Sequence, residues 1–142
     1  KSIHLSKNAQ EFISILQKKG ILVGLVSGGF APIVERLAKS LGISYFSANQ
    51  LEVKDGFLTG KLVGEIVTGQ VKQDTLEKWK KELKLPKERT IAIGDGANDL
   101  LMLKSAGRGI AFCAKEVVKT EIACHVDTRD FLEVLPLIDF LE

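Results

Sequence analysis

The sequence predicts a three-layer α/β fold, a mainly parallel, doubly wound sheet with helices on both faces. Helix and strand signals alternate along the chain, and strands joined through helices form βαβ units that place their strands side by side and parallel. Ile21–Val26 is an apolar run flanked by glycines, without polar alternation. Such a run reads as a strand buried on both faces, as in the interior of a parallel sheet. At 142 residues and 45% hydrophobic, the chain is long and apolar enough to bury a core without staples.

In order, Asn8–Glu11 reads as a capping box opening a helix with Phe12, Ile15 and Leu16 on one face, and Gly20 stops it. The strand Ile21–Val26 follows. A second helix starts near Pro32, carries Ile33, Leu37, Ala38 and Leu41 as its apolar stripe, and ends at Gly42. Ser44–Ala48 is a short strand. Leu51–Lys54 and Phe57–Lys61 flank Asp55-Gly56, a two-residue hairpin signal, and Leu62–Val67 extends the hairpin. Lys72–Leu83 is an amphipathic helix with Leu76, Trp79 and Leu83 on one face. Thr90–Ile93 and Gly109–Phe112 are strands around a helix at Asn98–Ser105. A helical turn at Glu116–Thr120, a strand at Ala123–Val126 and a helix at Asp130–Phe140, kinked or delayed by Pro136, complete the chain. The reading gives one domain over 1–142.

Composition narrows the function. With 20 basic and 18 acidic residues the net charge is +2, and no basic stripe suggests nucleic acid. No apolar run is long enough to span a bilayer, and no signal peptide is visible, so no membrane partner is expected. Cys113 and Cys124 form no CxxC or zinc spacing. Cys113 reads as a small buried thiol, and the pattern suits a reducing cytoplasm. The chain opens on Lys1 rather than Met, so it is expected to be trimmed or part of a longer protein.

Ligands of doubly wound sheets sit beyond the carboxyl ends of the strands. Two strand-to-helix turns there are unusual. Val26-Ser27-Gly28-Gly29-Phe30 offers two glycines for close backbone approach, a hydroxyl, and helix-start N–H groups that favour an anion. A tight turn with a serine cap is the plain alternative. Ile93-Gly94-Asp95-Gly96-Ala97-Asn98-Asp99 crowds two carboxylates and an amide into one turn. That set suits Mg²⁺, which takes one or two carboxylates plus substrate phosphate; an ordinary Asp/Gly/Asn cap is the alternative. Lys72 opens a helix, where its charge opposes the dipole, so a reason beyond local structure is sought for it.

Together these residues resemble the haloacid dehalogenase superfamily, with its Rossmann-like core. Ser27, Lys72 and Gly94–Asp99 look like its second, third and fourth motifs, in order and at similar spacing. Within the superfamily the chain is most similar to the phosphoserine phosphatases, through Ser27–Phe30, Ala48-Asn49, Asp55-Gly56 with Thr59-Gly60, Ala92–Asp99 and Gly109–Lys115. The resemblance implies hydrolysis of a small phosphomonoester, phosphoserine, in the last step of serine biosynthesis, through an aspartyl-phosphate and with Mg²⁺. It implies that Ser27 and the Gly28 N–H hold phosphate, with Asn98 positioning the substrate. Lys72 pairs with the nucleophile and the phosphate charge. Asp95 ligates Mg²⁺, and Asp99 acts through metal water or Lys72.

The first motif of that family, Asp-x-Asp-x-Thr, is absent. None of Asp55, Asp74, Asp95, Asp99, Asp127, Asp130 and Asp139 has an aspartate two residues on. The strand bearing that motif, central in the family's sheet between the strands matching 21–26 and 90–93, is missing, and so is the helical cap domain. The core is therefore expected to be incomplete. The expected consequences are low stability, a metal site one carboxylate short with weak Mg²⁺ affinity, no turnover by the chain alone, and sheet edges open to self-association. Other readings stay open: a non-catalytic phosphate- or partner-binding module, or a phosphatase or phosphotransferase with a different substrate.

Overall fold

The computed structural model describes residues 8–55, 57–63 and 67–138. Along the chain lie α1 (Ala9–Lys18), β1 (Gly24–Phe30), α2 (Ala31–Ser40), β2 (Tyr45–Lys54), β3 (Phe57–Val63), α3 (Gly69–Glu82), β4 (Ile91–Gly94), α4 (Leu100–Ser105), β5 (Arg108–Phe112), α5 (Glu116–Glu121) and β6 (Cys124–Val126). Short 3₁₀ turns occupy Lys87–Arg89, Ala97–Asp99 and Phe131–Leu137. The α/β class stands, and the sheet is mainly parallel. Strand β1 pairs β2 in parallel, β2 pairs β3 antiparallel, and β4–β5–β6 are all parallel.

Side-chain alternation along β5 sorts the layers. Ile110 and Phe112 point to one face, against Phe12 and Leu16 of α1 and Val134 and Ile138 near the C-terminus. Ala111 points to the other, against Leu103 of α4, Val118 of α5 and partly buried Leu76 of α3. Ala38 of α2 and Leu41 just beyond its end pack with Val23 and Leu25, next to Ile13 of α1. Phe131 stacks on Phe12 and Phe112, with centroids 5.4 and 4.2 Å apart.

The described strands form two three-stranded sheets, β1–β2–β3 and β4–β5–β6, rather than one. Between β1 and β4 runs an apolar cleft of about 400 Å³, lined among others by Leu25, Val26, Leu76, Trp79, Ile91 and Ile93. Among the described residues the facing edges do not pair with each other. The two-sided burial expected of 21–26 is not realised: Ile21–Val23 precede the strand, and Leu22 is 61% exposed. Helix α3 spans the cleft. Trp79 lies where any Cβ on Gly24 would sit and meets Tyr45 edge-on, with centroids 5.7 Å apart.

Several local readings change. The Asn8 capping box does not form: Asn8 is left-handed, with no side-chain cap, and its amide donates to Asp130 Oδ1 at 2.9 Å. The strands expected at Ser44–Ala48 and Leu51–Lys54 merge into one, β2, which begins at Tyr45. The hairpin keeps its two-residue turn, with Lys54 paired to Phe57 and Asp55 at φ 52°; Gly56 and 64–66, the latter within the expected extension, lie outside the described residues. Helix α3 starts earlier, because Thr68 Oγ1 accepts from the Val71 N–H at 3.3 Å. Pro136 sits in a 3₁₀ turn where an α-helix was expected; the end of that span, 139–140, lies outside the described residues. Cys113, expected buried, is half-buried at φ 49°.

Candidate active site

Each candidate residue sits at or beside the carboxyl end of a strand or the start of α3. In β1 the ladder breaks after Val26: Val26 pairs with Ser47, and the next pair is Phe30 with Asn49. Ser27, Gly28 and Gly29 bulge out between these pairs. The bulge is held from within by the Gly29 N–H, which donates to Ser27 Oγ at 2.9 Å. Nothing lies within 4 Å of where a Gly28 Cβ would be, so the backbone there is open to close approach.

Beyond β4, the turn Gly94–Asp99 is organised by Asp99. Its Oδ2 accepts from the Asp95 and Gly96 N–H groups at 3.1 and 3.2 Å, and its Oδ1 accepts from Lys72 Nζ at 2.7 Å. Both partners are buried, with side chains 10% (Lys72) and 7% (Asp99) exposed. Charged groups are rarely this buried unless paired, which answers why a lysine opens α3. Gly94 is required at its position, since a Cβ would come 2.6 Å from Asp99 Cβ. With Asp99 committed, Asp95 is left exposed, and among the described residues nothing hydrogen-bonds or ion-pairs its carboxylate. Asn98 is exposed, and its Oδ1 lies 2.7 Å from where a Gly96 Cβ would be.

The structure thus brings Lys72, Asp95 and Asp99 together, with Asn98 in the same turn. Ser27 and Gly28 are joined to this group through a residue that received no role in the sequence reading. Asn49, buried in β2, donates to Gly28 O at 2.8 Å and accepts from the Val67 N–H at 2.7 Å, just before α3. The start of α3 also touches the other turn, since a Cβ on Gly69 would come 2.9 Å from Asn98 O. A signal for Asn49 was present: asparagine is depleted in strands, so one inside β2 calls for a reason.

No cluster of three or more His, Cys, Asp or Glu side chains suited to a metal occurs among the described residues. The donor set fits a hard cation only as an open site with Asp95 as one carboxylate ligand, the remaining positions falling to water and a substrate phosphate. Away from the site, a hydrogen bond from Lys119 at 3.2 Å holds the Asp127 carboxyl below its usual range.

A family model described as haloacid dehalogenase-like hydrolase matches residues 2–104. The phosphoserine phosphatase of Streptococcus thermophilus is 52% identical over 137 residues, covering 96% of this chain and 64% of that protein. A solved substrate-bound phosphoserine phosphatase complex superposes with a TM-score of 0.89 at 42% identity, covering 94% of this chain and 64% of the other. A phospho-aspartyl intermediate analogue of a phosphoserine phosphatase superposes with a TM-score of 0.88 at the same identity and coverage. The chain therefore spans just under two thirds of the length of these proteins.

Proposed function

The chain belongs to the haloacid dehalogenase-like hydrolase family, and on that premise we propose that it is the phosphate-gripping core domain, over 1–142, of an Mg²⁺-dependent phosphatase acting on phosphoserine. The observation that carries this reading is the buried Lys72–Asp99 pair, whose carboxylate also fixes the Asp95–Gly96 backbone. A buried ammonium neutralised on one side by Asp99 is preorganised to meet the negative oxygens of a phosphoryl group. Similarity to phosphoserine phosphatases along nearly the whole chain supports the substrate.

In this reading the Ser27–Gly29 bulge presents hydroxyl and backbone groups to the phosphate, and the open space over Gly28 lets an oxygen approach. Lys72 Nζ balances phosphate charge, while Asp99 keeps the lysine aimed. Asn98 lines the substrate side of its turn. Asp95 would hold Mg²⁺, which when bound offsets charge on the phosphoryl oxygens. The chain has no Asp-x-Asp pair to supply the attacking carboxylate that the family uses. Alone it is proposed to bind phosphate without turnover.

The test is phosphate release from a panel of small phosphate esters by the product of the complete reading frame, with and without Mg²⁺. The reading expects Mg²⁺-dependent release with phosphoserine preferred. Absence of release from every ester, by a folded product, would favour a non-catalytic binding module and overturn it.

A further inference from the structure

The geometry points to Asn49 as a positioning residue that sets the distance between the Ser27–Gly29 bulge and the start of α3, which carries Lys72, an inference that rests on the proposed phosphate site. One amide group bridges two segments distant in sequence. Its Nδ2 donates to Gly28 O on the bulge, and its Oδ1 accepts from the Val67 N–H ahead of α3. Both bonds are short, and the residue is only 6% exposed. Among the described residues the bulge's other side-chain hydrogen bond, Gly29 N–H to Ser27 Oγ, lies within the bulge itself and is exposed.

The second bond has reach. Val67 is followed by Thr68, which caps α3, and by Gly69, which abuts Asn98 O. One turn further on is Lys72, paired with Asp99. Asn49 therefore ties the Gly28 carbonyl to the segment from which Lys72 is hung. With both bonds made, the Gly28 backbone and Lys72 Nζ are held in register for a single phosphate. A side chain that made only one of them would keep the fold and lose the register. Leucine, of similar size and common in cores, would make neither.

Asn49→Asp separates these roles. The carboxylate still accepts from Val67 N–H but cannot donate to Gly28 O when ionised. Asn49→Ala, which removes both bonds, is the second variant. The probe is inorganic phosphate titrated into the ¹⁵N-labelled 142-residue chain, read at the Gly28, Gly29 and Gly69–Lys72 amides. Hydrogen exchange and thermal midpoints are measured without phosphate. In the unsubstituted chain both groups of amides are expected to shift with one common Kd. In Asn49→Asp the Val67 amide stays protected and the thermal midpoint changes by a few degrees. Exchange at Gly28 and Gly29 accelerates about tenfold, and the phosphate Kd rises about tenfold or splits in two.

A folded Asn49→Asp chain with unchanged exchange and an unchanged common Kd overturns the inference. So does unfolding of both variants, which would make Asn49 a core residue only. If the unsubstituted chain ignores phosphate, the proposed function fails, while the positioning role is still decided by exchange at Gly28 and Gly29.

Discussion

At the scale of single residues, the Lys72–Asp99 pair links stability to function. Removing one partner of a buried ion pair strands the other, at a cost of about 3–5 kcal/mol. Lys72→Met is therefore expected to destabilise the chain by roughly 3 kcal/mol in urea unfolding, the two N–H groups on Asp99 Oδ2 keeping the loss at the low end. The double change Lys72→Met with Asp99→Leu should lose less than the sum of the single changes, because no lone charge stays buried. A sum that is simply additive would show that the pair is not coupled. Lys84 gives a prediction of the opposite sign. It ends α3 at φ 55°, with its N–H on Lys81 O and the Leu85 N–H on Lys80 O at 2.9 Å, the position glycine normally fills. Lys84→Gly should stabilise by about 1 kcal/mol, read as a raised urea midpoint with unchanged slope.

Among the elements, α3 positions the site, and its start was the hardest boundary to read. The sequence shows its amphipathic face plainly, but its first turn depends on Thr68 and on a glycine whose reason is tertiary. Gly69 is there because Asn98 O leaves no room for a Cβ. Gly69→Ala should raise helix propensity by about 1 kcal/mol yet push α3 off the Gly94–Asp99 turn. A displacement near 1 Å can cost about a hundredfold in rate. Turnover by the complete product is expected to fall by that order with the thermal midpoint nearly unchanged; undiminished turnover would show that the contact does not position Lys72. Where local chemistry alone decides, the sequence was sufficient. Gly20 and Gly42 close α1 and α2 with left-handed residues, the Ile21 N–H reaching Leu16 O and the Ile43 N–H reaching Ala38 O. The expected hairpin pairs Lys54 with Phe57, with Asp55 left-handed between the strands. Asn8 is left-handed rather than extended as a capping residue must be, and its amide N–H instead donates to distant Asp130.

For the whole molecule, the layers and the strand-to-helix order were legible because apolar periodicity records which faces are buried. Pairing between β1 and β4 is a different matter, since it depends on what lies between them rather than on either strand's own pattern. Both strands carry the apolar character of interior strands, and the fold leaves a cleft there, with Trp79 on its wall. Trp79 is the single tryptophan of the chain, so its emission reports on this cleft. An apolar dye such as anilinonaphthalene sulfonate should bind with a blue-shifted emission and quench Trp79 by energy transfer. A folded chain that leaves the dye unbound would show that the cleft is closed in solution. Asn49 belongs to this scale as well: its two partners lie 21 and 18 residues away in sequence, so no local pattern announces the pairing.

The central claim is that the Ser27–Gly29 bulge, Lys72 and the Gly94–Asp99 turn face one phosphoryl group. Diffraction from crystals of the chain soaked in tungstate, an electron-dense phosphate mimic, together with Mg²⁺, tests it most directly. The account predicts one strong tungsten peak in contact with both the Gly28 backbone and Lys72 Nζ. A structure in which tungstate binds elsewhere, with no peak touching those two groups, would contradict it.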